Sequence, residues 1–307
     1  MGSVLVGFAI IGVVVAAGYV SARLGLGGPE ARTALNQVGF FVASPALLFT
    51  VLARADVADL VQAPLAVAAV GAVVSAGVFV AVDRLWLRLR APEATVGAVA
   101  SGYVNANNIG LPVAVYVLDD ATAVVPVILL QLLVLAPVTL LVLDATTGGR
   151  VSWRFVLAQP VRNPIILGSF AGAVVSLTGW TPPEAVMAPL DILGGAAIPM
   201  ILLAFGMSLH GSRPLRRGEP RAAVGVASAV KLLVTPAVVY LVARFGFGFD
   251  DAAVASAVTL AALPTAQNVY NYAARFGRGE ILARDTILVT TVGAPLVLLV
   301  VALVLAP

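Results

Sequence analysis

Cysteine is absent from the 307 residues, which excludes disulfides, thiolate nucleophiles and cysteine-ligated metals. Histidine occurs once, at His210, so a histidine-rich metal site is excluded as well. Lysine also occurs once, at Lys231. Charge is scarce: 11% of the residues are Asp, Glu, Lys or Arg, where a soluble domain carries about a quarter. That is too little to cover a globule of this size with charge. A soluble enzyme is therefore excluded. So is a disordered chain, which needs low hydrophobicity and high charge. No Walker, G-x-S-x-G or H-E-x-x-H motif occurs, so ATP-driven transport and hydrolase chemistry have no support.

What is present is apolar. Hydrophobic residues make up 61% of the chain and the mean hydropathy is +1.04. Stretches of at least 21 residues without Asp, Glu, Lys or Arg cover 1–22, 33–53, 60–82, 94–118, 121–143, 163–183, 192–212, 252–274 and 286–307. A further stretch, 222–243, is interrupted only by Lys231. About 20 apolar residues cross a bilayer as a helix. The expectation is an all-α polytopic membrane protein with ten spans. Val, Leu and Ala fill the spans without alternation, which argues against a β-barrel. The first span lacks a basic n-region and is longer than the apolar core of a signal peptide, so it reads as a retained helix.

The basic residues set the orientation. Counted from the N-terminus, the odd connections hold fifteen of the eighteen: Arg23, Arg32, Arg84, Arg88, Arg90, Arg150, Arg154, Arg162, Arg213, Arg216, Arg217, Arg221, Arg275, Arg278 and Arg284. The even ones hold Arg54 and Arg244. This predicts both termini outside the cytoplasm, in a multi-pass protein of a bacterial inner membrane. The arginines are spread over five connections, as is routine beside membrane helices, so nucleic acid is not an expected partner. Membrane lipid is.

The two halves share their punctuation. Pro45 in the second span pairs with Pro199 in the seventh, and Pro112 in the fourth with Pro264 in the ninth. Five spans per half force opposite orientations, the signature of an inverted repeat with corresponding interrupted helices. The expected division is 1–143 for the first five-helix repeat, 144–159 for a cytoplasmic connection and 160–307 for the second repeat.

The interrupted helices carry the polar chemistry. The fourth span reads Asn105-Ala106-Asn107-Asn108-Ile109-Gly110-Leu111-Pro112, and the ninth Leu263-Pro264-Thr265-Ala266-Gln267-Asn268-Val269-Tyr270-Asn271. Backbone freed by a break in lipid must find partners, inside protein or against a water-filled cavity. Amides can satisfy that backbone and also face a ligand. Asparagines can equally glue helices together or satisfy a kink, but two clusters at matching breaks favour binding. Half-helix N-termini carry partial positive charge and suit an anion. A carboxylate could be held there without an arginine in the pocket. The predicted substrate-binding residues are Asn105, Asn107, Asn108, Gly110, Pro112, Pro264, Thr265, Gln267, Asn268 and Asn271.

Three stretches resemble the auxin efflux carrier family, related in fold to the bile-acid/sodium symporters. Asn105 to Pro112 resembles the family's N-x-G-N-x-G-x-P segment, with Asn107 where glycine is usual. Gly194 to Pro199, followed by Gly206-Met207-Ser208-Leu209, resembles its seventh-helix signature. Leu263 to Asn268 resembles its P-T-A-Q-N segment. The resemblance implies an exporter of a small organic anion. It also implies a scaffold domain and a transport domain whose broken fourth and ninth helices cross. Scaffold spans one, two, six and seven would offer a homodimer contact, and spans three to five and eight to ten would carry the site.

Coupling is less legible. Lys231 lies roughly 13 Å into the eighth span at 1.5 Å per residue. An intramembrane charge points to function: it could attract an anion or stand where related transporters place a cation. Snorkelling to the interface is the plainer alternative. No carboxylate sits at mid-span. Asp191 and Asp285 lie near span ends and read as solvated or as coupling candidates, and Asp83, at the end of the third span, reads as solvated. Proton coupling, sodium coupling and uniport stay open, and no cofactor or metal is expected. Gln131 and Asn36-Gln37 read as packing. A channel or ligand sensor that gates with the kinked helices is the alternative to a transporter. An enzyme lacks a nucleophile–base pair.

Overall fold

Proline inside a helix removes one amide donor and crowds the carbonyl four residues earlier. At four prolines the chain widens the turn before them, while at Pro189 and Pro295 the α-helix runs on. In the computed structural model, which describes residues 2–55, 63–147, 163–210 and 220–305, π-turns cover Gly39–Ala43, Ala106–Gly110, Gln131–Leu135 and Val230–Val234. Each ends two residues before a proline: Pro45, Pro112, Pro137 and Pro236. The amide after each turn reaches back five residues, as Ser44 N does to Gly39 O. Two more π-turns, Asp83–Leu87 and Val242–Gly246, close helices at their ends.

The helices are α1 (Gly2–Arg23), α2 (Gly28–Val38), α3 (Ser44–Arg54), α4 (Ala63–Val82), α5 (Ala91–Gly102), α6 (Leu111–Tyr116), α7 (Val125–Leu130) and α8 (Ala136–Thr147). After residues outside the description come α9 (Pro164–Thr178), α10 (Glu184–Gly195) and α11 (Ala197–Leu209). The last group is α12 (Arg221–Ala229), α13 (Thr235–Leu241), α14 (Asp251–Ala261), α15 (Asn268–Phe276) and α16 (Glu280–Leu305). Among the described residues the fold is all-helical apart from one isolated bridge between Val104 and Thr265. Joined through their π-turns and kinks, six helices are long and apolar enough to cross a membrane: Glu30–Arg54, Ala63–Leu87, Val125–Thr147, Glu184–Leu209, Arg221–Gly246 and Glu280–Leu305. The other four expected spans fall on shorter or broken helices: Ala9–Arg23, Pro164–Thr178, α5 with α6, and α14 with α15. Most of the 144–159 connection and of the 209–221 loop, with six of the cytoplasm-assigned arginines, lie outside the described residues.

Two span boundaries differ from the charge-free stretches. The helix expected from 192 begins at Glu184, and the one expected from 286 begins at Glu280. Charges do not end either helix because they are paired. Asp191 lies two turns inside its helix, held by Arg54 at 2.7 Å. Asp285, expected to be solvated, is wholly buried and accepts from Arg284 Nε at 2.7 Å. Asp83 is buried too, its Oδ1 accepting from Leu89 N at 2.9 Å where the chain leaves the helix.

Helix α1 packs along α11, α9 along α3, and α10 along α3. Close approach of α1 and α11 depends on glycine: a methyl on Gly18 would overlap the Leu203 carbonyl, and one on Gly206 that of Val15. A second group forms around α4, which packs on α5, α7 and α13, while α16 packs on α12, α14 and α5. Helix α6, with the π-turn before it, lies against α1 and α11 and so joins the two groups.

Candidate functional site

Two helices stop in the middle of the protein and restart. Helix α5 ends at Gly102, and helical structure resumes at Ala106. Helix α14 ends at Ala261, and α15 begins at Asn268. The exposed peptide groups of each break are satisfied by the other. Asn105 N donates to Pro264 O at 2.8 Å, and Ala266 N donates to Tyr103 O at 3.0 Å. These two bonds flank the antiparallel bridge of Val104 with Thr265. Side chains complete the accounting that buried backbone demands. Gln131 Nε2 donates to Val104 O at 2.8 Å. Thr265 Oγ1 donates to Ala100 O at 2.7 Å, and Thr265 N donates to Thr290 Oγ1 at 3.1 Å.

The first break comes before the proline that the sequence pairs with Pro264. Gly110 and Pro112 sit in continuous helix beyond it, both buried. A side chain on Gly110 would press on Val124 and Leu263, so this glycine allows the second break to approach. Pro264 lies within its break and Thr265 is fully buried. These four residues build the crossing and do not line the cavity beside it.

That cavity has a volume of about 390 Å³. Asn105, Asn107 and Asn108 line it from one break, and Gln267, Asn268 and Asn271 from the other. Sequence reasoning missed three further amides. Asn36, Gln37 and Gln131, taken as packing, line the same cavity. Of the ten asparagines and glutamines among the described residues, nine are here. The tenth, Asn163, caps α9 by accepting from Ile165 N at 2.9 Å. Arg32 also lines the cavity and is exposed. It lies four residues before Asn36, hence on the same helix face. That spacing was the available signal for it.

Within the cavity the amides are partly committed. Asn105 Oδ1 accepts from Asn108 N at 3.3 Å and so caps the restarting helix. Asn107 Nδ2 donates to Asn108 Oδ1 at 3.1 Å, while Asn107 Oδ1 is buried with no partner. Both restarting helices, at Ala106 and at Asn268, begin at the cavity, so their positive ends face it.

A second cavity of about 380 Å³ lies against the same crossing. It is lined mainly by apolar residues of α4, α7, α13 and α14, with Asp120 and Asp250 among them. Val104 and Gln131 line both cavities. The three charged candidates lie elsewhere. Asp191 pairs with Arg54, Asp285 is buried beside Arg284, and Lys231 is fully buried in the turn after α12. None of them lines the amide cavity. Among the described residues no cluster of His, Cys, Asp and Glu could hold a metal ion.

The family model described as "Membrane transport protein" matches residues 3–302. A protein of Rhizobium meliloti (strain 1021) named "Putative malonate transporter" is 33% identical over 287 residues, 89% of this chain and 87% of that one. A protein of Methanothermobacter thermautotrophicus named "Uncharacterized transporter" is 29% identical over 267 residues, 82% of this chain and 84% of that one.

Proposed function

The chain belongs to the membrane transport protein family, the auxin efflux carrier family that its motifs resemble, and from that premise we propose that it carries a small dicarboxylate of malonate type out of the cell. It is a multi-pass membrane transporter, not an enzyme. The observation that carries the substrate class is the gathering of nine amides and two half-helix N-termini around one cavity. A carboxylate accepts hydrogen bonds only. Amide N–H groups and positive helix ends supply donors, and the one cation among the described residues that lines the cavity, Arg32, is exposed, which favours binding that is also reversible. Two carboxylates, one to each restarting helix, use both ends. The volume falls in the small-molecule range of about 300–1,000 Å³. The name of the Rhizobium relative points to the same class.

The direction rests on the charge at the two mouths. Arg32, in a connection assigned to the cytoplasm, stands at the amide cavity and would draw an anion in from that side. Asp120 and Asp250, in connections assigned to the outside, stand at the other cavity and would repel its return. Alternating access then exposes the crossing to each side in turn, with Val104 and Gln131 as the partition. In this reading the chain has ten spans in two inverted repeats, with both termini outside the inner membrane. Helices α1–α3 and α9–α11 form the scaffold, from which Arg32, Asn36 and Gln37 of α2 face the cavity, and the rest carry the crossing. A reporter active only in the cytoplasm should be active at Arg216 and silent at the C-terminus; the reverse overturns the orientation. For the substrate, purified protein should be stabilised against heat by malonate and not by malonamide, its uncharged analogue. Equal stabilisation by both would contradict an anion site.

A further inference from the structure

The two interrupted helices end against different chemistry. The last carbonyls of α5 take neutral hydroxyls: Ala100 O accepts from Thr265 Oγ1 at 2.7 Å, and Ser101 O from Thr235 Oγ1 at 3.1 Å. At the end of α14, Ala261 O accepts from Lys231 Nζ at 2.6 Å. Lys231 and Thr235 are four residues apart across one π-turn, so a single helix serves both half-helix ends.

Lys231 has no exposed surface. Its ammonium meets the backbone of α14, deep in the protein, and does not reach for an interface, which removes the snorkelling reading. None of the ion pairs among the described residues involves it. A buried cation without a carboxylate is costly unless something else offsets its lost hydration. The offset here is the negative end of an eleven-residue helix whose final carbonyls lack intrahelical partners. Half-helix C-termini and unwound carbonyls are where broken-helix transporters coordinate an inorganic coupling cation.

We infer that Lys231 is a covalently tethered cation that fills, at the end of α14, the place of a bound sodium ion, so that the transporter works without sodium. The inference rests on the transporter reading above. It makes Lys231 a positioning residue for the second break: its charge holds Ala261 O and thereby the geometry of Pro264 to Asn268 at the cavity.

The test compares ligand-free purified protein in sodium chloride and in choline chloride at equal concentration, by thermal midpoint. The wild type should melt at the same temperature in both. Lys231→Ala should fall by about 3 °C or more in choline chloride, and sodium or methylammonium, which fit the vacated space, should restore most of the loss. Lys231→Met, which keeps the apolar stem, should show the loss without the rescue, and Lys231→Arg should stay near wild type. A wild type stabilised by sodium over choline would overturn the inference. So would Lys231→Met at the wild-type midpoint, or an Ala variant that neither cation rescues. If the Ala variant fails to insert, the wild-type comparison and the Met and Arg pair decide alone. A separate arm adds malonate to the wild type. Failure of malonate to stabilise it would sink the substrate reading and leave the sodium result standing.

Discussion

The two helix breaks solve one problem with opposite sequence orders. In the first, the break comes at Tyr103-Val104-Asn105 and the amides follow at Asn107 and Asn108, with Pro112 well downstream in helix. In the second, Pro264 sits inside the break and the amides follow it. Proline therefore does not decide where the first helix stops. What both breaks share is the pairing of one with the other, through Asn105 N to Pro264 O and Ala266 N to Tyr103 O. A helix can stop in lipid only where its freed backbone finds partners, and each break is the other's partner. The ends differ in charge, hydroxyls at the first and an ammonium at the second. The pairing belongs to the architecture; the caps can vary.

The largest effect is expected at the amides nearest the crossing. Asn105→Ala and Asn268→Ala should each lower malonate affinity about 5- to 150-fold, from about 1–3 kcal/mol per unpaired buried group. Titration calorimetry on protein that still inserts measures this. Unequal losses would show that one break dominates binding.

A smaller effect is expected from charge at the second cap. Lys231→Met should slow malonate uptake about tenfold while Lys231→Arg slows it only slightly, measured as initial rates in liposomes. Equal rates for both variants would erase the difference between the two ends. At the first cap, Thr265→Val should cost about 1–3 kcal/mol of stability, because Ala100 O loses its donor and stays buried. Denaturation in mild detergent reads that loss, and no change would mean that the first break does not depend on its hydroxyl.

The smallest effect belongs to an exposed ion pair that does not line the amide cavity. Arg54 and Asp191 are 60% and 39% exposed, and exposed pairs contribute about 0–1 kcal/mol. Arg54→Gln should leave malonate affinity unchanged and shift the melting midpoint by less than any variant above. A large loss of transport would give the pair a role that its exposure does not suggest.

Much of this was legible in the residues, for physical reasons. Low charge and long apolar runs left only a membrane protein. Six of the paired-break amides were recognisable because asparagine and glutamine are rare in lipid-facing helix. Four π-turns each end two residues before a proline, at Pro45, Pro112, Pro137 and Pro236, but Pro189 and Pro295 sit in α-helix without one, so proline alone does not mark them. The first break was not legible at its true position, since Tyr103 and Val104 are not helix breakers and stop the helix only by pairing with the second break. Helix starts at Glu184 and Glu280 were hidden because the charged residues that follow them are paired. Asn36, Gln37 and Gln131 reach the cavity through tertiary packing that no local pattern encodes. The partner of Lys231 is a backbone carbonyl 30 residues away, which carries no side-chain signature.

Counterflow in proteoliposomes tests most directly whether the amide cavity at the paired breaks is the transport site. Vesicles loaded with unlabelled malonate should accumulate labelled malonate transiently with the wild type, saturably and without ATP. Neither Asn105→Ala nor Asn268→Ala should do so. Accumulation by both variants at the wild-type rate would contradict a site at the crossing, and absence of counterflow in the wild type for malonate and its near homologues would contradict a dicarboxylate carrier.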